Sequence, residues 1–406
     1  MKFYKIDNII FKYFLCLSFF IIFYLNFKHN VENDSSISEW LINYQGGFTR
    51  RGLGGEIAIN IALFFGSSLR ESIFYLQSFF HLSYLLLLYF FIKEIKFSIL
   101  QLFAFFSPIF LLYPVAEIEV LGRKEILLFF FFISIIFFSE KKFKPKIING
   151  ITFVIMPLVL LIWEMVILFL PFIAAILVIK NNIQTYSKAL QKLFFIFLPS
   201  IITFIFIYFF PLSQEGHKIM CDFLKASFDE RCYMSANMLM THTIYFDTFA
   251  DLHKNTNFVH IIRYILIFII GFMPLNILLR NNIFLKKNNL IFNNFKLHTL
   301  LFMLYSPSIL LFIYAYDWGR WINITYSFSI LFYLFLYKNK IISNYDLNKI
   351  KIISLLNNKK KISIFLLVIF AFSWTPKTVV TGDIGSFPGY RIPVKAIEFY
   401  KHLNKY

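Results

Sequence analysis

Long runs of Phe, Ile and Leu, broken by short polar stretches, make up most of this chain. A helix that crosses a bilayer needs ~20 predominantly apolar residues, so such runs read as spans. Segments 11–27, 73–92, 97–115, 126–138, 193–210, 258–279, 297–315, 322–337 and 362–374 each predict one helix. Segment 147–179 is too long for one span and is interrupted by Pro157, Trp163-Glu164 and Pro171. It reads as two short helices turning near Glu164, or as one long tilted helix that buries Glu164, since tilt absorbs excess length. The first reading brings the total to about eleven. No small-residue cleavage site follows segment 11–27, which therefore reads as a retained helix.

The polar interruptions fall into two alternating kinds. Lys2, Lys5 and Lys12 open the chain, and further basic clusters follow at Lys93/Lys96, Lys141 to Lys146, Lys180 to Lys192, Arg280 to Lys287 and Lys338 to Lys361. Basic residues collect in cytoplasmic loops, so these loops read as internal. The alternate ones read as external: 28–72, 116–125, the Glu164 turn, 211–257, 316–321 and the tail 375–406. The N-terminus is expected inside and the C-terminus outside. Within the internal loop 338–361, segment 341–356 has the pattern of an amphipathic helix lying on the membrane surface. No internal repeat and no separate soluble domain is visible.

Composition agrees with the pattern. The 406 residues are 59% hydrophobic and 15% charged, with a mean hydropathy of +0.68. A soluble domain cannot hide that much apolar surface, so the fold class is all-α, a polytopic protein whose first partner is the lipid bilayer. The net charge of +18 does not signal nucleic acid. The basic residues sit between apolar runs, without a basic stripe on a soluble domain. Three cysteines exclude a disulfide scaffold or a cysteine-rich metal centre.

The unusual polar residues gather in the external loops. Segment 43–56, NYQGGFTRRGLGGE, sets Arg50 and Arg51 among Gly46, Gly47, Gly52, Gly54 and Gly55. Glycines let backbone approach a ligand, successive N–H groups can cradle an anion, and guanidinium forks suit phosphate. A helix starting near Leu53 would add its N-terminus. The other reading is an interfacial loop with its arginines on lipid headgroups. In AEIEVLGRKE, Arg123 and Lys124 lie beside Glu117, Glu119 and Glu125, as ligands for an anion or as partners of those glutamates. Glu164, nearly alone in an apolar run, is a functional candidate by default or an exposed turn carboxylate. YDWGRW holds Asp317 and Arg320, a ligand clamp or an i,i+3 ion pair in an aromatic belt. The tail brings Asp383, Tyr390 and Arg391. Cys221 and Cys232, the external cysteines, are expected to pair in an oxidising compartment. Zinc is the poorer reading of the loop that also holds His217, His242 and His253, since neither His-x-x-x-His nor Cys-x-x-Cys occurs. No metal and no cofactor is expected.

This layout resembles the membrane glycosyltransferases of the GT-C type, and more closely the O-antigen and capsule polymerases of bacterial polysaccharide clusters. GGFTRRGLGGE followed far downstream by DWGRW carries the resemblance. It implies a GT-C-like helical bundle in the bacterial inner membrane and a polyprenyl-phosphate-linked glycan as partner. External arginines of that group bind the pyrophosphate, which implies Arg50, Arg51, Arg123, Arg320 and Arg391, with Lys124 beside them. An acidic base in the first external loop implies Glu39 or Asp34, although the paired acidic motif common in the family is absent; Asp317 is the remaining carboxylate. The expected activity is glycosyl transfer or repeat-unit polymerisation. The alternatives are a transporter or flippase of an anionic lipid-linked substrate, and a subunit without chemistry of its own. Transporters tend toward inverted repeats and mid-membrane polar groups, and this chain shows neither clearly.

Topology is directly measurable. Reporter fusions after Lys93, Lys146, Asn181 and Lys361 should report cytoplasm, and fusions after Phe65, Asn237 and Tyr406 the opposite side. Loops bearing Arg50 and Arg320 that mapped to different sides would exclude a shared site.

Overall fold

The computed structural model describes residues 7–31, 35–140, 143–240, 254–285, 295–344 and 359–380, with isolated positions 356, 397, 400 and 401. Among the described residues the regular secondary structure is helical except for one short antiparallel pair, Asn282–Phe284 with Ile342–Asn344. Among the described residues, six helices are long and apolar enough to cross a membrane: Asn8–His29, Leu69–Ile92, Pro145–Ile162, Tyr186–Phe209, Phe258–Arg280 and Leu297–Tyr314. Their outward faces are greasy, with Phe19, Phe79, Phe195, Tyr208 and Phe258 more than half exposed. Such faces need lipid, and the chain is a helical membrane protein.

The centre is the helix Trp318–Lys338, in which every residue from Gly319 to Leu336 is buried. A helix in lipid would not carry Asn323, Thr325, Ser327 and Ser329 along its length. This one does so because protein encloses it. Phe328 fixes its apolar packing, stacked on Phe132 at 4.1 Å between ring centroids and touching Phe169 and Phe172 at 4.9 and 5.5 Å.

Expectation and structure part company at segment 97–115. It is not one span. A helix Ile99–Phe105 stops, the chain turns through Pro108, and a short helix Leu112–Ala116 follows. Non-helical backbone inside a membrane protein must find partners in the protein itself. The central helix supplies them: Asn323 Nδ2 donates to the carbonyls of Ile109 (2.8 Å) and Phe110 (3.0 Å), and the Tyr326 hydroxyl donates to Ala104 O.

Segment 147–179 does divide. The helix Pro145–Ile162 ends at Trp163, whose extended backbone breaks the ladder, and Leu170–Lys180 follows after a 3-10 turn. Asn149 and Asn181 exchange side-chain hydrogen bonds of 2.9 and 3.1 Å, so the start of one helix meets the end of the other and the pair is a hairpin. Both readings of this segment contained part of the answer, since Glu164 at the tip is buried. Residues 342–344 are strand, so the helix expected over 341–356 does not begin there, and most of that segment lies outside the described residues.

The helix ends collect at two poles. Lys338 pairs with Glu140 at 2.8 Å and Lys180 donates to Ser139 O at one. Glu39, Arg51, Glu125, Glu164 and Arg320 meet at the other.

Phe328→Ala should lower stability by ~3–5 kcal/mol, the usual cost of emptying a packed aromatic site. Phe365→Ala, at a 64% exposed position, should change little. Thermal unfolding in one detergent compares the two.

Candidate functional site

The glycine-rich stretch turns out to be a close-packing device. Arg51 caps the helix Gly52–Phe65 in the left-handed region, φ 63°, a conformation costing a non-glycine residue on the order of 1 kcal/mol. The first turns of that helix then lie against the chain at Trp40 to Tyr44. A Cβ on Gly55 would stand 2.1 Å from Ile42 O, and one on Gly52 would meet the Tyr44 ring at 2.3 Å. Gly54 faces the Lys124 side chain. The glycines therefore admit backbone and a lysine, and an anion cradle is not needed to explain them.

Lys124 fills the space so made. It is 1% exposed, its Nζ donates to Arg51 O at 2.7 Å, and it lies 5.7 Å from the Trp40 ring centroid. The lysine thus fastens the left-handed residue from below. Trp40 Nε1 and Gln77 Nε2 both donate to Gly122 O at 2.8 Å, fixing the turn that leads into Arg123 and Lys124.

Charges from four separate stretches interlock above this base. Arg51 grips Glu164 with two nitrogens, Nε to both carboxylate oxygens at 2.9 and 3.0 Å and Nη2 to one at 2.8 Å. Arg50 Nη1 stands 3.9 Å from the same carboxylate. Arg123 pairs with Glu39, and Arg320 with both Glu125 and Asp317, while Arg320 Nη2 also lies 4.0 Å from Glu39. Two of the glutamates of segment 116–125 reach beyond it: Glu125 pairs with Arg320, and Glu119 with Lys28 at 2.6 Å. Glu164 is buried rather than an exposed turn carboxylate, and Asp317–Arg320 is more than an isolated i,i+3 pair.

Burial alone would push the Glu39 carboxyl up, but Arg123, Arg320, Arg51 and Lys124 outweigh it and hold the group down at about 2. The same contest, decided by Arg51 and then Arg50, lowers Glu164. Burial draws Lys124 down to about 7, against the attraction of Glu39.

Below the cluster is a cavity of about 40 Å³, mainly apolar, with Arg123, Glu125, His81 and Asn323 in its wall. Glu125 Oε2, Arg123 Nε and Asn323 Oδ1 are buried and have no hydrogen-bond partner among the described residues. Since Asn323 Nδ2 is used twice, its oxygen is the atom left over. A space of ~10–15 Å³ holds a water, so this one admits a few small polar atoms beside an apolar group.

Cys221 and Cys232 form a disulfide. Asp34, Arg391, Asp383, Tyr390, His242 and His253 lie outside the described residues. Sequence reasoning missed Gln77, His81 and Asn323, polar residues inside apolar runs, and Arg70, which pairs with Glu230 and donates to Val31 O at 2.8 Å. A polar residue within a helix too apolar to need it was the available signal. Family models, characterised proteins and solved structures give no match to the chain.

Lys124 supplies a pH test. Its folded value lies below its ordinary 10.5, so the folded state binds fewer protons than the unfolded chain between about 7 and 10.5. Lys124 therefore makes stability rise with pH across that window. Lys124→Met should flatten the rise, measured as unfolding midpoint against pH relative to the parent protein.

Proposed function

We propose that the charged pole binds a polyprenyl-phosphate-linked glycan on the external face of a bacterial plasma membrane and catalyses glycosyl transfer or repeat-unit polymerisation. The reading includes about eleven spans in a GT-C-like arrangement, with the N-terminus inside and the C-terminus outside. One observation carries it: four distant polar stretches converge on buried ionic pairs whose rim stays open. The side chains of Arg50, Arg51 and Asp317 are 25, 23 and 25% exposed, while those of Glu39, Glu125 and Arg320 are 4%.

The roles follow from access and charge. Arg50 and Arg51 have partly exposed side chains at the rim, and their guanidinium chemistry suits a pyrophosphate. The acceptor hydroxyl attacks the anomeric carbon, the bond from that carbon to the pyrophosphate oxygen breaks, and the lipid pyrophosphate leaves with the electron pair. Arginines stabilise the charge that develops there. Asp317 takes the hydroxyl proton, being the most open carboxylate of the cluster. Glu39, buried and held ionised by arginines, is the weaker choice for a base and the better one for orienting Arg123 and Arg320. Glu164 fixes Arg51, and Lys124 fixes the backbone beneath it.

Reconstituted protein supplied with polyprenyl-pyrophosphate-linked oligosaccharide should lengthen the lipid-linked chain and release free polyprenyl pyrophosphate. Replacing Arg50 and Arg51 by lysine keeps charge but loses the forks, and should reduce the rate nearly as far as alanine does. Asp317→Asn and Arg320→Ala should each abolish transfer in protein that still reaches the membrane, and the double change should not restore it. Normal chain length from the Asp317/Arg320 double variant would make that pair purely structural. Movement of a labelled lipid across the bilayer without any sugar transfer would favour the flippase.

A further inference from the structure

The helix Gln214–Phe228 places His217 and Cys221 four residues apart, on one face. Asp229, left-handed at φ 53°, ends that helix, and Cys232 comes back onto Cys221 with 5.4 Å between their Cα atoms. His217 completes the group: its ring nitrogens and the two sulfurs offer three ligand atoms that all lie within 4.8 Å of one another. His217 Nε2 is 3.1 Å from Ala236 O. A carbonyl only accepts, so Nε2 carries the hydrogen there. Nδ1 is then the nitrogen with the lone pair, and Cys221 Sγ lies against the ring, 3.7 Å from Nδ1 and 3.6 Å from Nε2.

We propose that His217, Cys221 and Cys232 form a zinc site when the disulfide is reduced, so that this segment is stapled by a covalent bond in one redox state and by a metal in the other. Two independent features point to it. The Sγ to Nδ1 separation of 3.7 Å is close to the roughly 3.5 Å edge of a tetrahedron built from zinc–sulfur and zinc–nitrogen bonds. The hydrogen bond from the other ring nitrogen to a backbone carbonyl is the outer contact that metal-bound histidines make, and it sets the tautomer in advance. Two thiolates and an imidazole select zinc among common divalent ions, and three protein ligands leave a fourth position for water. The chemistry balances. A thiol reductant supplies two electrons and two protons, is itself oxidised to a disulfide, and leaves two cysteine thiols. Zinc then displaces both thiol protons to solvent.

The segment is well placed for such a staple to matter. A Cβ on Gly46 would stand 1.8 Å from Gly216 O, so the residue next to His217 touches the loop that leads to Arg50. Ser235 N also donates to Ser38 Oγ at 3.1 Å, beside Glu39. Met220, Leu212, Ala236 and Leu239 share a small core with Ile42.

Cobalt is the probe, on full-length detergent-purified protein carrying Cys16→Ser to remove the free thiol. After reduction under anaerobic conditions, one equivalent of Co²⁺ should give thiolate-to-cobalt charge-transfer and intense d–d absorption, and Zn²⁺ should abolish both. The oxidised protein should show neither. His217→Ala should weaken cobalt binding by at least the roughly tenfold that loss of even an outer partner costs. Should that variant not be recovered folded, His217→Asn, which keeps a donor for Ala236 O, replaces it. Reduced protein that takes up no cobalt, or a His217 variant that binds as tightly as its parent, would overturn the proposal.

Discussion

A guanidinium removed from water governs this structure. Arg320 is 3% exposed, in the first turn of a helix that protein encloses on every side. An uncompensated charge there would cost several kcal/mol, so carboxylates must be brought to it. Glu125 comes from one stretch, Asp317 from the helix cap and Glu39 from the first long loop. Arg123 then neutralises Glu39, and signs alternate along the chain Arg123, Glu39, Arg320, Glu125. Buried pairs of this kind add little to stability compared with apolar packing, but breaking one costs ~3–5 kcal/mol. Their effect is register: each loop has one seat.

The same constraint explains what could be read from the sequence. Ionisable residues are conspicuous in an apolar chain, so the stretches holding Arg51, Arg123, Glu164 and Arg320 stood out before any geometry was known. Which acid meets which base did not. Arg123 and Glu125 are two residues apart, yet one pairs with Glu39 and the other with Arg320. The break in segment 97–115 was hidden because the residues around Pro108, Ser107 apart, are apolar enough for a span. The carbonyls freed there are answered by Asn323 and Tyr326, more than two hundred residues later. Enclosure of the Trp318–Lys338 helix was equally silent in a hydropathy profile, although its asparagine and serines hinted at it.

Small residues do a second job at the charged pole. Gly55 and Gly46 each allow backbone to meet backbone, the first beneath Arg51 and the second at the disulfide-bearing segment. The arginine loop is therefore held at both ends by contacts that a single methyl group would obstruct. Lys124 acts between them through one carbonyl, that of Arg51. A loop seated by close contacts holds its arginines in a defined direction.

Enclosure of the central helix also dictates an order of assembly. Its residues leave the ribosome after most of the helices that surround it, because Trp318–Lys338 follows Glu125–Glu140, Leu170–Lys180 and Phe258–Arg280 in the chain. Those earlier helices enter the membrane with their future centre missing. The late helix is poorly suited to wait in lipid, since Arg320 meets Glu125, and Asn323 meets the carbonyls of Ile109 and Phe110, only inside the bundle. Without Trp318–Lys338 the earlier helices would lack the residues that now fill their centre, and Glu125 would lose the guanidinium it pairs with.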